Sequence, residues 1–139
     1  MKPLYTTEAL ATGGGRDGHV DVAESDLAFD LAVPTAMGGT GAGANPEQLF
    51  AAGYAACFHS ALQSVARQAK KKLGDSSVGA RVSIGKAGEG FGLAVTLEVV
   101  IPDLPQDEAQ QLADAAHQVC PYSNATRGNI RVDVQVVDD

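Results

Sequence analysis

The sequence predicts an α+β fold, and three observations carry the prediction. Strand-like alternation recurs in short stretches, two longer stretches carry helical patterning, and the order is meander, helix, hairpin, helix, strand instead of a regular β-α repeat. A chain of 139 residues with no linker and no internal repeat makes one domain of ordinary size, so residues 1–139 read as a single domain. With 45 % apolar and 19 % charged residues, that domain can bury a core.

Each element has its own reason. "HVDV" and "LAFDLAV" alternate with period two, the second placing Leu27, Phe29, Leu31 and Val33 on one side, so residues 4–33 read as a small meander joined by "GGGRDG" and "AESD" turns. The Gly/Thr-rich stretch "AMGGTGAGA" is a loop feeding a helix. Asn45 suits the cap, Pro46 the first helical position, and the pattern runs through the lysines to Gly74, which predicts a helix from 46 to about 73. Its first half is apolar on every side. One sheet of this size cannot cover such a helix, so the sequence predicts a homodimer whose partner covers the rest.

Strands follow at 78–84 and 93–101, the second alternating Leu93, Val95, Leu97, Val99 and Ile101, with a Gly-rich hairpin between them. "PQDEAQQLADAAHQV" is a helix with an acidic first turn and apolar Ala109, Leu112, Ala113 and Ala116. "CPYSNATRGN" turns the chain, with Pro121 suited to the first position of a helical turn and Asn124, Thr126 and Arg127 placed to brace it. "IRVDVQVV" closes the chain as a strand. The expected architecture is antiparallel sheets around a long buried central helix.

Charge and composition exclude several classes of function. A net charge of −7, with basic residues scattered apart from Lys70, Lys71 and Lys72, argues against nucleic acid or an anionic membrane as partner. The lysine run suits a solvated helix end. No apolar run is long enough to span a membrane and "MKPLYTTEAL" lacks a signal-peptide core, so the expected location is the cytoplasm. There thiols stay reduced, and the two cysteines are inert core residues or a redox pair instead of a structural staple.

Several motifs must be weighed against plainer readings. "GGGRDG" matches the G-x-G-x-x-G string, but the strand-like "HVDV" after it is the wrong context for a dinucleotide fingerprint. "GGTGAGANPE" lacks the Lys-Ser/Thr of a P-loop. Cys57 and His59 fall about 200° apart on a helix, which disfavours a shared metal, and only a folded cluster with His19, His117 or Cys120 would rescue one. Taken alone, Arg16 is a solvated loop cation, Glu47 a carboxylate favoured by the helix dipole, and Cys57 an inert core thiol with a raised pKa. A reactive Cys57 would need a nearby cation, which Arg16 held by Glu47 could supply.

Together, "NPEQLFAAGYAACFHSAL", "VCPYSNATRGNI" and the early "GGGRDG" resemble the organic hydroperoxide resistance proteins, a branch of the OsmC-like family, in the same order over nearly the whole chain. The resemblance implies an OsmC-like fold, an intertwined homodimer and a cysteine-based peroxidase. Cys57 matches the peroxidatic cysteine, Cys120 the resolving cysteine, and Arg16 and Glu47 the paired charged residues beside the reactive thiol. It further implies an alkyl or fatty-acid hydroperoxide as substrate and reduction by a dihydrolipoyl group on a lipoylated partner protein, with no bound cofactor or metal. Phe50, Tyr54, Phe58 and Tyr122 are candidates for lining the substrate pocket, with core packing the plainer role.

Geometry adds a constraint of its own. On one regular helix Glu47 and Cys57 stand about 15 Å apart along the axis and roughly 80° apart around it. Either Arg16 spans part of that gap or a partner subunit completes the site. Two rival readings remain: a non-catalytic redox sensor or thiol-binding protein, which would oxidise once and stop, and a structural dimer module whose thiols react only on unfolding.

Overall fold

Between the first two strands the chain must reverse within residues 13–18, and a Cβ at Gly18 would lie 2.2 Å from the carbonyl oxygen of Thr12. Only glycine fits that approach. In the computed structural model, which describes residues 1–138, this turn joins β1 (Ala9–Thr12) to β2 (His19–Val22), and β3 (Ala28–Asp30) completes an antiparallel sheet in the order β1-β2-β3. The chain divides into two compact units, Met1–Leu49 and Phe50–Asp139.

In the first unit the strands are shorter than their alternation predicts. Beyond Asp30 the chain leaves the sheet: Leu31 forms a single parallel bridge with Ala44, the Ala32 N–H donates to the Ala44 carbonyl (2.9 Å) and the Gly41 N–H to that of Val33 (2.9 Å). The glycine-rich loop thus folds back along residues 31–33. Its end delivers Asn45 to the start of α1 (Pro46–Gln68). There the Asn45 side chain accepts from the Gln48 N–H (2.9 Å), and Gln48 Oε1 accepts in return from the Asn45 N–H (3.1 Å). This reciprocal capping box, with Pro46 in the first turn, fixes the helix start where the sequence places it.

The other end of α1 differs from expectation. Lys70 takes the left-handed φ of 57°, its N–H donates to the Arg67 carbonyl, and the Lys71 N–H reaches the Ala66 carbonyl (2.9 Å). That is a Schellman stop built on lysine, ahead of Gly74. The helix therefore ends near Gln68 and not at residue 73.

The second unit holds β4 (Ser77–Ala87), β5 (Gly90–Val100), α2 (Gln106–Val119), a short α3 (Pro121–Thr126) and β6 (Arg131–Val136). Strands β4 and β5 pair antiparallel, but β6 pairs parallel to β5, so the second sheet is mixed where antiparallel sheets were expected. The chain crosses over through α2 and α3 between them, and a crossover of that kind brings a strand back in the same direction. The register aligns Val82, Val95 and Val132 in one rung, Ala80, Leu97 and Val134 in the next, and Val78, Val99 and Val136 in a third.

These rungs form one cluster with Tyr54, Phe58, Ala61, Leu62 and Val65 of α1 and with Ala109, Leu112, Ala113 and Ala116 of α2. Each large side chain fully buried there contributes roughly 1.5–3 kcal/mol. The opposite face of α1 is not covered: Ala52, Ala56 and Ser60, on successive turns, are exposed in the single chain. Burial on all sides, as the apolar sequence predicts, is therefore not achieved by one chain alone.

Candidate active site

Cys120 is the single residue between α2 and α3, closing one helix and opening the next with φ −62° and ψ 124°. Pro121 explains the corner, because the residue before a proline is driven out of the helical region while proline itself suits the first turn of a new helix. The Cys120 thiol is fully buried and donates toward Cys57 Sγ at 3.6 Å; Cys57 is half-buried on α1. A disulfide needs about 2.05 Å, so both are free thiols. Burial pushes the Cys57 pKa above its ordinary value, and neighbouring Cys120 adds to that. A hydrogen bond from the Tyr122 backbone N–H acts in the opposite direction.

Around the thiols the aromatic candidates separate. Phe50 and Tyr122 stack with centroids 6.0 Å apart, and Tyr54 tilts against both at 5.7 Å. This trio explains an interior glycine: a Cβ at Gly53 would come within 3.0 Å of the Tyr122 hydroxyl and 3.3 Å of its ring. Glycine there costs about 0.5–1 kcal/mol of helix stability relative to alanine, and the space it leaves seats Tyr122. Phe58 is not part of the trio. It is wholly buried in the core, its ring 6.5 Å from that of His117.

Two polar residues flanking Cys120 take a part that the sequence does not assign them: His117 is weighed there only as a metal ligand, and Ser123 not at all. Ser123 Oγ lies 2.8 Å from the Tyr54 hydroxyl and 2.7 Å from His117 Nδ1, and the Tyr54 hydroxyl also meets Thr126 Oγ1 at 3.1 Å. Burial lowers the His117 pKa, and the charge of Arg127 adds to the effect. The only sequence signal for the pair is spacing, His117 and Ser123 each standing three residues from Cys120. Arg127 and Asn124 do brace the corner, as their positions suggest: Arg127 donates to the His117 carbonyl (2.8 Å) and to Asn124 Oδ1.

In the first unit, Arg16 sits in a short 3₁₀ turn (Gly15–Asp17) of the glycine loop and grips Glu47 with two parallel hydrogen bonds, 2.8 and 2.7 Å. The neighbouring Asp17 accepts from the Val33 N–H (2.9 Å) and ties the loop to the chain beyond β3. The Arg16 side chain is 37 % exposed and that of Glu47 15 %. The hydrogen bonds from Arg16 hold the Glu47 carboxyl below its usual range, against the effect of its burial, and raise Arg16 in turn. A bidentate pair leaves the guanidinium a fixed plane and a full charge.

The remaining histidines serve locally. His19 lies between Asp30 (2.8 Å) and Asp21 (3.3 Å) on the first sheet, and His59 Nε2 lies 3.0 Å from Ser76 Oγ. Among the described residues no group of three His, Cys, Asp or Glu side chains could hold a metal ion, and no helix is long and apolar enough to cross a membrane.

Comparison with known proteins gives one consistent result. Residues 39–135 match the OsmC-like protein family. The organic hydroperoxide resistance protein of Xanthomonas axonopodis pv. citri is 53 % identical over 133 residues, 94 % of this chain and 93 % of that one. The crystal structure of an organic hydroperoxide resistance protein from Elizabethkingia anophelis superposes with a TM-score of 0.93 at 52 % identity, covering 100 % of both chains. That of an organic hydroperoxide resistance protein from Legionella pneumophila gives 0.92 at 51 % identity, covering 97 % of this chain and 98 % of the other.

Proposed function

The chain belongs to the organic hydroperoxide resistance branch of the OsmC-like family, and from that premise we propose that it is a cysteine peroxidase that reduces alkyl or fatty-acid hydroperoxides. The observation that carries the reading is the approach of the two free thiols, 3.6 Å between sulfurs, beside the aromatic trio Phe50, Tyr54 and Tyr122. A buried, inert pair of cysteines would need no exposed aromatic surface beside it. Here Tyr122 is 39 % exposed.

In this reading the Cys57 thiolate attacks the distal oxygen of R–O–O–H. The O–O bond breaks, the alkoxide takes a proton and leaves as alcohol, and Cys57 becomes a sulfenic acid. The Cys120 thiol then displaces the hydroxyl, giving a Cys57–Cys120 disulfide and water. A dithiol, assigned here to a dihydrolipoyl group on a partner protein, returns both thiols and is itself oxidised to a cyclic disulfide. No bound cofactor enters the cycle.

Burial opposes formation of the Cys57 thiolate and a nearby cation would favour it, a task the reading gives to Arg16 with Glu47 orienting it. Its support is the bidentate geometry together with the family's paired charges. We treat residues 1–139 as one functional domain working in a reducing cytoplasm. The exposed stripe Ala52, Ala56, Ser60 on an otherwise apolar helix supports a second copy of the chain as its cover.

Stopped-flow oxidation of the reduced protein tests the reading, with an organic hydroperoxide and hydrogen peroxide compared and the products weighed by intact mass. Rapid loss of two hydrogens per chain, faster with the organic substrate and mapped to Cys57 and Cys120, is expected. Slow and indiscriminate oxidation would refute it, and a single stoichiometric event despite excess dithiol would favour a redox sensor.

A further inference from the structure

Cys57 and Cys120 are flanked at the same spacing by members of one hydrogen-bonded chain. Tyr54 stands three residues before Cys57, His117 three before Cys120 and Ser123 three after it. On α1 that spacing places Tyr54 and Cys57 on neighbouring positions of one face, while His117 and Ser123 lie on the turns of α2 and α3 that adjoin Cys120. The Ser123 hydroxyl joins the other two, 2.8 Å from Tyr54 Oη and 2.7 Å from His117 Nδ1, so one hydroxyl spans the corner at Cys120 and ties it to the helix carrying Cys57. Ser123 and Tyr54 are wholly buried, and no buried side-chain polar atom among the described residues lacks a partner.

A count of protons fixes the direction of this chain. The contacts are His117 to Ser123, Ser123 to Tyr54, Tyr54 to Thr126, and Thr126 Oγ1 to the Ser123 carbonyl. Three hydroxyls bring one proton each, and Thr126 spends its own on the carbonyl. With Thr126 donating to that carbonyl at 3.3 Å, all four contacts are satisfied together only when His117 Nδ1–H donates to Ser123. The order is therefore His117 to Ser123 to Tyr54 to Thr126, each donating to the next, with the imidazole as its head.

We infer that His117 and Ser123 are positioning residues for the resolving step, holding the Cys120 thiol in register with Cys57 so that the disulfide closes before a second oxidant arrives. The inference rests on the peroxidase reading for its biological meaning, though not for its geometry. The step governed is Cys120–SH plus Cys57–SOH giving the S–S bond and water, in which the sulfurs must approach from 3.6 Å to bonding distance. A corner freed from the clamp would sample other positions and close more slowly. The first oxidation of Cys57 would be untouched, because Ser123 is wholly buried and His117 Nδ1 is engaged with Ser123.

The experiment separates the two steps in the full chain. With an organic hydroperoxide, Ser123→Ala and His117→Leu are expected to form sulfenic acid at the parent rate and to close the disulfide about five- to tenfold more slowly, with a larger sulfinic fraction by mass at high peroxide. His117→Asn, which keeps an N–H near the Nδ1 position, is expected to recover most of the closure rate. Closure at the parent rate in both Ser123→Ala and His117→Leu overturns the inference, as does a His117→Asn as slow as His117→Leu. A parallel series uses the diazene oxidant diamide, which adds to one thiol and leaves as the hydrazine when the second attacks. A parent that ignores hydroperoxide but closes with diamide, more slowly after Ser123→Ala, would remove the peroxidase reading and keep the clamp.

Discussion

The two pairs of candidate residues are held by opposite means. Arg16 and Glu47 are joined by charge, on a loop that glycine shapes and beside a sheet whose first strand, β1, is exposed along its whole length. Cys57 and Cys120 are held by packing, at a corner braced by a buried hydrogen-bonded chain and a core of valine and leucine rungs. The Arg16–Glu47 pair is therefore adjustable, while the Cys57–Cys120 pair is held in place. A partly exposed ion pair adds about 0–1 kcal/mol and can open. The fully buried Cys120 cannot yield without the unit around it.

The largest effect should come from the thiol side. Cys57→Ser is expected to abolish hydroperoxide turnover, measured with excess dithiol, while melting near the parent temperature because a serine at a half-buried site alters little volume. Next comes the frame: Leu97→Ala, at a position with no exposure, is expected to lose about 2–5 kcal/mol in urea unfolding. If it lost under 1 kcal/mol, the contrast between a fixed and an adjustable side would collapse.

Arg16→Ala sharpens the contrast from the other direction. It should cost at most about 1 kcal/mol of stability, yet slow Cys57 oxidation by on the order of a hundredfold, read by stopped flow. Oxidation at the parent rate would take Arg16 out of the chemistry. The smallest effect concerns pH. Because Arg16 holds the folded Glu47 carboxyl below its ordinary value of 4.5, the pair contributes fully above that value and is lost as the pH falls through the lower folded one. The melting difference between parent and Glu47→Gln should therefore be constant from neutrality to about pH 5 and shrink in more acid solution, with under about 1 kcal/mol at stake.

Much of this could be read in the amino acids, and the exceptions have physical causes. Asn45 and Pro46 announced the start of α1 because caps act locally, and the alternation through Val95, Leu97 and Val99 marked the buried face of β5. The end of α1 was misplaced because a lysine, Lys70, adopts the backbone usually left to glycine, and nothing in its chemistry signals that. The parallel pairing of β6 is a property of the crossover and leaves no mark on the alternation of Val132, Val134 and Val136. Arg16 and Glu47 stand 31 residues apart, so their meeting was suggested by family resemblance and by charge complementarity, not by local pattern. The link through Ser123 leaves no local pattern, and His117 suggests only a metal ligand, because a small hydroxyl gains importance only when folding sets it between Tyr54 and His117.

The mixed pairing of the second sheet also bears on how the molecule is made. Strand β5 is central, with β4 delivered beside it at once by a tight hairpin, while its other neighbour, β6, is encoded after two intervening helices. During synthesis the hairpin can form early, but Val95, Leu97 and Val99 keep one flank open until residues 131–136 have emerged. A strand of that length with one edge open is a template for another chain. The nascent chain therefore carries an open sheet edge throughout the interval between its fifth and sixth strands.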